Sequence, residues 1–344
     1  MPYTANLPAT AHPPAWTCDC TGSNFTLIID VHLHALKLAG FGVGGGPAPA
    51  VCSSNENIIW NAWDTRKPLT VGGSGLSCAG AKFSPATTDE ELMQQTLAVL
   101  MRFNVRAVTS GPLEQVTKWR AAAPDRIIPA TPFKLPSEPE GQPVLELRQL
   151  VSERKVTVFA EVGPQYAGMS PADPALEPYR ALAEELDIPV GLHMGEGPPG
   201  GRNVEGYSAY RVKMGSPLLL EDVLVRHPKL RIYVMHYGSP FVDDMIALLY
   251  SYPHLYVDVA QNDWGFPRKH FHAQLRRLIE AGFGKRILFG SDQMIWPDTI
   301  GLAIETIQSA DFLNEEQKRD IFCRNAARFL RLDLSGCAAN AKPK

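Results

Sequence analysis

"TLIIDVHLH", residues 26–34, is a run of apolar and β-branched residues that ends in two histidines two positions apart. Such a run suits a strand buried on both faces. Side chains alternate along a strand, so Asp30, His32 and His34 share one face and Ile29, Val31 and Leu33 the other. The α-carbons of the two histidines then lie roughly 7 Å apart, close enough for both imidazoles to reach one ion. The same spacing means something different on a helix. In "KHFHAQLRRL" (269–278), His270 and His272 follow a helical period. They point roughly 200° apart and cannot chelate together.

Seven further runs of the same kind follow. They are "VRAVTSG" (105–111), "RIIPATPF" (126–133), "VTVFAEVG" (156–163), "IPVGLHMG" (188–195), "RIYVMHYG" (231–238), "LYVDVAQ" (255–261) and "RILFGSDQM" (286–294). Amphipathic stretches separate or follow them, among them 87–104, 176–187, 217–228, 267–282 and 314–332. The first opens on Thr88 with Glu91 three residues on, a capping box, and Asn314 is suited to cap the last. Eight strands alternating with helices indicate an α/β protein with a (β/α)8 TIM-barrel fold. With 344 residues, 45% of them hydrophobic, the chain can fill such a core. The barrel is expected over 26–332, after a flexible N-terminal extension (1–25) and before a short tail (333–344). The glycines of "FGVGGGPAPA" (41–50) neither directly follow a strand nor open a helix, which argues against a nucleotide-binding turn. They belong to a long insertion after the first strand, 37–86, which must emerge at the face where barrel active sites sit. It reads as a lid, or as a surface decoration with Trp60 and Trp63 packed down.

The other strands end in lone ionisable residues: Glu161, His193, His236 and Asp292. Together with His32 and His34 they ring one rim of the barrel. Burying so many ionisable groups is costly without a counter-ion, and a divalent cation is the economical explanation. His12, His227 and His254 fall in the extension, at a helix end and in a turn, where no such convergence is expected.

A net charge of -3 leaves no basic footprint, so nucleic acid is not an expected partner. No apolar run is long enough to span a membrane. The N-terminus lacks the apolar core of a signal peptide. The compartment stays open: cytoplasmic as the chain stands, or periplasmic or secreted if a leader has been removed. Six cysteines include no CxxC pair, which argues against a structural zinc knuckle. Cys52 and Cys78 could form a disulfide worth roughly 3 kcal/mol in an oxidising compartment, or all six could be thiols.

The motifs "DVHLH", "GLHMG", "VMHYG", "FGSD" and the closing "RNAARFLRL" resemble the amidohydrolase superfamily, in particular its amidohydrolase-related branch. The resemblance spans about 26–332 and implies a barrel with a zinc-type centre. It implies metal ligation by His32, His34, His193 and Asp292, with His236 as a ligand of a second ion or a neighbour of the substrate. Glu161 falls where the TatD-like nucleases of the superfamily place a metal-binding glutamate, which permits a second ion beside one tightly held zinc. The expected activity is hydrolysis of an amide, lactone or ester of a small molecule. Asp292 would move the proton and His236 would polarise the carbonyl, while Asp30 would orient a ligand imidazole. Non-oxidative decarboxylation of a small aromatic or unsaturated acid is the alternative. It calls for a cation to grip the carboxylate, with Arg202 and Arg211 as candidates. Tyr166, Trp264 and Trp296 are expected to line the substrate pocket. The partner is then a small-molecule substrate, and a homodimer is allowed.

Overall fold

The structure, a computed structural model, describes residues 27–39, 48–62, 64, 66, 76–78, 80–203 and 206–332. The extension, the tail and Trp63 lie outside the described residues.

β1 (Ile28–His34) is buried along its whole length. Four short strands follow in the insertion: β2 (Val51–Cys52), β3 (Ile58–Trp60), β4 (Leu76–Cys78) and β5 (Lys82–Phe83). The barrel resumes with β6 (Val105–Ser110), β7 (Ile127–Thr131), β8 (Val158–Val162) and β9 (Val190–His193). It ends with β10 (Ile232–Met235), β11 (Tyr256–Asp258) and β12 (Ile287–Leu288). All eight expected strands are present, paired in parallel in the order β1-β6-β7-β8-β9-β10-β11-β12. The seam between first and last closes through Val31 N–H to Phe289 O (2.9 Å) and His34 N–H to Gln293 O (3.1 Å). This is the TIM barrel of the α/β class.

Helices alternate with the strands. They are α1 (Asp89–Arg102), α2 (Leu113–Ala122), α3 (Val144–Ser152), α4 (Glu177–Glu185), α5 (Glu221–Arg226) and α6 (Val242–Ser251). Then come α7 (Asn262–Gly265), α8 (Arg268–Glu280), α9 (Thr299–Gln308), α10 (Glu315–Arg319) and α11 (Asn325–Leu330). Thr88 caps α1 by accepting from Glu91 N–H at 3.0 Å, and the Glu91 carboxylate reaches back to accept from Thr87 N–H at 2.8 Å. Asn314 and Gln317 form a full reciprocal capping box on α10.

The last helix is not the single element expected over 314–332. A π-helical turn, Asp320–Arg324, separates α10 from α11. There the Ile321 carbonyl accepts from Phe289 N–H at 3.0 Å, a bond that ties the widened turn to the end of β12. Ala326 and Phe329 of α11 then pack on Ile29, Val158, Tyr233 and Leu288. Each lies within the first two residues of its strand, so α11 closes that end of the barrel.

The described part of the insertion is built. β2 pairs with β5 and β3 with β4, both antiparallel. A Cys52–Cys78 disulfide joins the two ribbons, which settles the choice between bridge and thiols for this pair. Asn55 anchors the segment: its Nδ2 donates to Asp263 O (2.7 Å) and Thr306 Oγ1 (3.0 Å), and its carbonyl accepts from Arg268 N–H (2.7 Å). Trp60 is 40% exposed, so it is not packed down. Among the described residues no helix is long and apolar enough to cross a membrane.

Candidate metal centre

β1 brings His32 and His34 to the barrel mouth with their rings edge to face, centroids 5.1 Å apart. The ladder with β6 shifts register between Asp30 and Leu33, a local irregularity just where the two imidazoles must converge. Both Nε2 atoms face carboxylates. His34 Nε2 lies 3.0 Å from Asp292 Oδ1 and 3.2 Å from Glu161 Oε2. His32 Nε2 lies 3.4 Å from the same Glu161 oxygen and 3.6 Å from the same Asp292 oxygen. Glu161 turns its other oxygen, Oε1, to His193 Nε2 at 3.6 Å. It therefore stands between two lobes, His32–His34–Asp292 on one side and His193–His236 on the other. In each of these groups the nearest donor atoms lie within 4.8 Å of one another.

Asp292 holds its place through a costly backbone. Its φ is +47°, in the left-handed region that disfavours aspartate less than most residues, and its N–H donates to His32 O at 2.7 Å. His236 also has a positive φ, +57°, followed by Tyr237 at +42°. A network grips this turn: Tyr237 donates to Gln274 Oε1 at 2.6 Å and accepts from Asn262 Nδ2 at 3.1 Å.

The second nitrogens fix the ring orientations. His32 Nδ1 is 3.1 Å from Asp258 Oδ2, and His236 Nδ1 is 2.9 Å from the Ala260 carbonyl. A carbonyl can only accept, so His236 carries its proton on Nδ1 and presents a bare Nε2 when neutral. His34 Nδ1 meets Ser110 Oγ at 3.0 Å. Asp258 also accepts from His236 N–H at 2.7 Å, and thus braces two histidines.

Asp258 is the residue that sequence reasoning missed. It is a lone carboxylate near the end of an apolar strand, the same signal that singled out Glu161 and Asp292. The role expected of Asp30 belongs to it. Asp30 instead accepts from His32 N–H (2.9 Å), Ser291 N–H (3.1 Å) and Ser291 Oγ (2.6 Å), stitching β1 to the segment after β12. Two residues before His32, its carboxylate is taken up by these backbone and hydroxyl donors and not by an imidazole.

Electrostatics follow from this geometry. Burial pulls His32 down, but the charges of Asp292 and Asp258 and hydrogen bonds to Asp258 and Glu161 leave it well above its ordinary range. Burial likewise opposes His34, yet its hydrogen bonds to Asp292 and Glu161 raise it to about 9. Burial would raise Glu161 and Asp292, and the facing histidines hold both below the usual carboxylate range. His193 is lowered to about 3 by burial and then by the charge of His236. Two imidazolium charges thus offset two buried carboxylates. A divalent cation would supply the same charge to the same four side chains, and the donor set of nitrogens and carboxylate oxygens suits one. His32, His34, Glu161 and Asp292 could hold it, while Glu161, His193 and His236 form a second group.

The remaining candidates divide. Tyr166 is buried, and its hydroxyl meets His193 Nε2 at 2.7 Å. Its ring stacks on Tyr207 (4.4 Å, 15° between planes), a residue no periodicity could have flagged. Trp264 and Trp296 lie against each other at 6.2 Å, both buried, with indole N–H groups bound to Ser291 O and Pro49 O. Arg202 is exposed, and the Arg211 guanidinium bonds the Ser208 and Tyr210 carbonyls. Among the described residues no contact joins either arginine to the cluster. His270 and His272 bond Gln274 and the Thr306 carbonyl separately, as expected for a helix.

The family model described as amidohydrolase matches residues 29–332. No curated protein matches the chain. Among the solved structures that share the fold are these three. One is an uncharacterized TIM-barrel protein from Bordetella bronchiseptica (20% identity, 73% of this chain and 86% of that one, TM-score 0.55). The second is a probable 2-pyrone-4,6-dicarboxylic acid hydrolase from Acinetobacter baumannii with citric acid bound (13% identity, 88% and 99%, TM-score 0.53). The third is a 5-carboxyvanillate decarboxylase from Novosphingobium aromaticivorans, complexed with manganese and 4-hydroxy-3-methoxy-5-nitrobenzoic acid (13% identity, 70% and 80%, TM-score 0.51).

Proposed function

The chain belongs to the amidohydrolase family, matched over residues 29–332, and from that premise we propose that it is a metal-dependent hydrolase of an amide, lactone or ester of a small molecule. The observation that carries this reading is the convergence of His32 Nε2, His34 Nε2, Glu161 and Asp292 at the barrel mouth. Fold neighbours include both a probable hydrolase and a decarboxylase, so the fold alone does not choose between them. The surroundings favour hydrolysis. The charges acting on the cluster come from its own histidines and carboxylates, and neither candidate arginine touches it.

His32, His34, Glu161 and Asp292 would hold a divalent ion, with zinc as the expected species, which would supply Lewis-acid polarisation of a carbonyl and a water of lowered pKa. Asp292, ionised and pinned beside His34, accepts the proton of the attacking water and passes it to the leaving group. With its Nδ1–H committed to Ala260, a neutral His236 offers Nε2 as a ligand or proton acceptor and not as a donor to the carbonyl. That donor role falls to the Tyr166 hydroxyl, which stands at the mouth 2.7 Å from His193 Nε2. Trp264 and Trp296 act as a packed wall. One ion on the His32–His34 side is the simplest occupancy, and the two-faced Glu161 leaves room for a second. The Cys52–Cys78 bridge supports work in an oxidising compartment. Nucleic acid is not expected as a partner.

Assay of the metal-loaded enzyme against lactones, aryl amides and esters, with CO2 release followed in parallel on aromatic acids, tests this reading. Hydrolysis that vanishes on chelation and returns with zinc or manganese supports it. Full activity after metal removal, or CO2 release without hydrolysis, would sink it.

A further inference from the structure

α8 buries Phe271, Gln274, Leu275 and Leu278, a stripe at i, i+3, i+4 and i+7 that is apolar except for Gln274. A buried amide is costly unless it is paired, and both ends of this one are. Its Oε1 accepts from the Tyr237 hydroxyl at 2.6 Å, and its Nε2 donates to His270 Nε2 at 2.8 Å. Ser239 Oγ also approaches Oε1, at 3.4 Å. Tyr237 is fully buried and directly follows His236. Both stand in the left-handed backbone region, at φ +42° and +57°. Neither is glycine, so contacts from outside the turn must hold it. Asn262 Nδ2 reaches the Tyr237 hydroxyl at 3.1 Å, and His236 Nδ1 meets the Ala260 carbonyl at 2.9 Å. The Tyr237 side chain thus ties the His236 turn to α8.

An apolar residue at 274 would complete the buried stripe at no polar cost. The amide is instead the acceptor for a hydroxyl one residue from a candidate ligand. We propose that Gln274 is a positioning residue for His236. Acting through Tyr237, it holds the left-handed turn so that the His236 imidazole stays grouped with Glu161 and His193, its proton on Nδ1 and its Nε2 bare. Without the acceptor the Tyr237 ring shifts, the strained pair relaxes, and Nδ1 draws away from the Ala260 carbonyl. The proton then has no fixed nitrogen. The inference rests on the reading of His236 as a ligand or proton acceptor of the hydrolase centre.

The test is the tautomer of the His236 ring, read from long-range nitrogen–proton correlation spectra of the metal-free full-length chain with the ring neutral. No turnover is needed. Wild type should carry the proton on Nδ1. Gln274→Met keeps the volume and the apolar stripe but removes the acceptor. Its His236 signals should move toward the average of the two tautomers. Tyr237→Phe should do the same, and the double variant should go no further than either single one. Gln274→Glu restores an acceptor and should restore the wild-type pattern. His272 lies on the same helix with its Nε2 on the Thr306 carbonyl at 2.9 Å. It reports any general loosening of α8 and should keep its tautomer throughout. A thermal melt verifies that each variant is folded, and if Gln274→Met is not, Tyr237→Phe decides. A wild-type pattern in the variants that lack the acceptor or the hydroxyl, a Glu variant no better than Met, or an equal change at His272 overturns the proposal. The predicted tautomers without any hydrolysis would sink the hydrolase reading and leave Gln274 its role in placing the ring; hydrolysis with unchanged tautomers would do the reverse.

Discussion

His32 and His34 keep their protons against burial because ionised Glu161 and Asp292 face them. Both folded-state pKa values are raised, so in the metal-free chain the folded state binds more protons than the unfolded one above pH 6.5, the ordinary histidine value. Their stabilisation is complete below that pH and is lost as pH rises through about 9 for His34. Ligation needs bare nitrogens, so the ion must displace those protons, and its affinity should rise over the same window. Thermal melts of chelated and metal-loaded protein should therefore diverge as pH climbs from 6.5 to 9; curves that stay parallel would count against this charge arrangement. Asp258→Asn removes the carboxylate that holds His32 Nδ1 and should weaken metal binding roughly 10–100-fold with the ligands intact. Competition against a chromogenic chelator measures it, and wild-type affinity would show that Asp258 is not a brace.

At the scale of elements, the run at 26–34 was legible because a strand buried on both faces leaves little else for its residues to be. The ends of the strands were equally legible: Glu161, His193, His236 and Asp292 all stand at the mouth. What sequence periodicity could not show lies in the turns after the strands. β12 is only two residues long, because the chain leaves the ladder at Gly290 to carry Asp292 under His32. A Cβ at Gly290 would stand 2.9 Å from His32 Cβ and 3.0 Å from Ala260 Cβ. Gly290→Ala should therefore displace β1 from the seam at a cost of about 1–3 kcal/mol and lower metal content. Metal analysis with a thermal melt checks this, and a variant that keeps both wild-type values would show that the contact can relax. Tyr207 was likewise hidden, since a loop residue obeys no period and only the folded mouth stacks it on Tyr166.

Across the whole molecule, the barrel and the insertion should be separable in stability. The insertion is held by the Cys52–Cys78 bridge and by Asn55 docked against α8 and α9. A Cys52→Ser, Cys78→Ser double variant should lose about 3 kcal/mol, from the closed 26-residue separation, while its metal content stays at the wild-type level. Loss of the metal along with the bridge would mean that the insertion shapes the centre directly. The disulfide itself was open in the sequence, because the pairing of cysteines depends on chain geometry that spacing does not encode.

The most direct test of the account is the divalent metal bound per chain, measured on protein purified without chelator and then offered zinc or manganese. Wild type should hold at least one ion, and His32→Ala and Asp292→Ala should each lose it while remaining folded. A wild-type chain that binds none, or variants that keep their full complement, would contradict the centre described above.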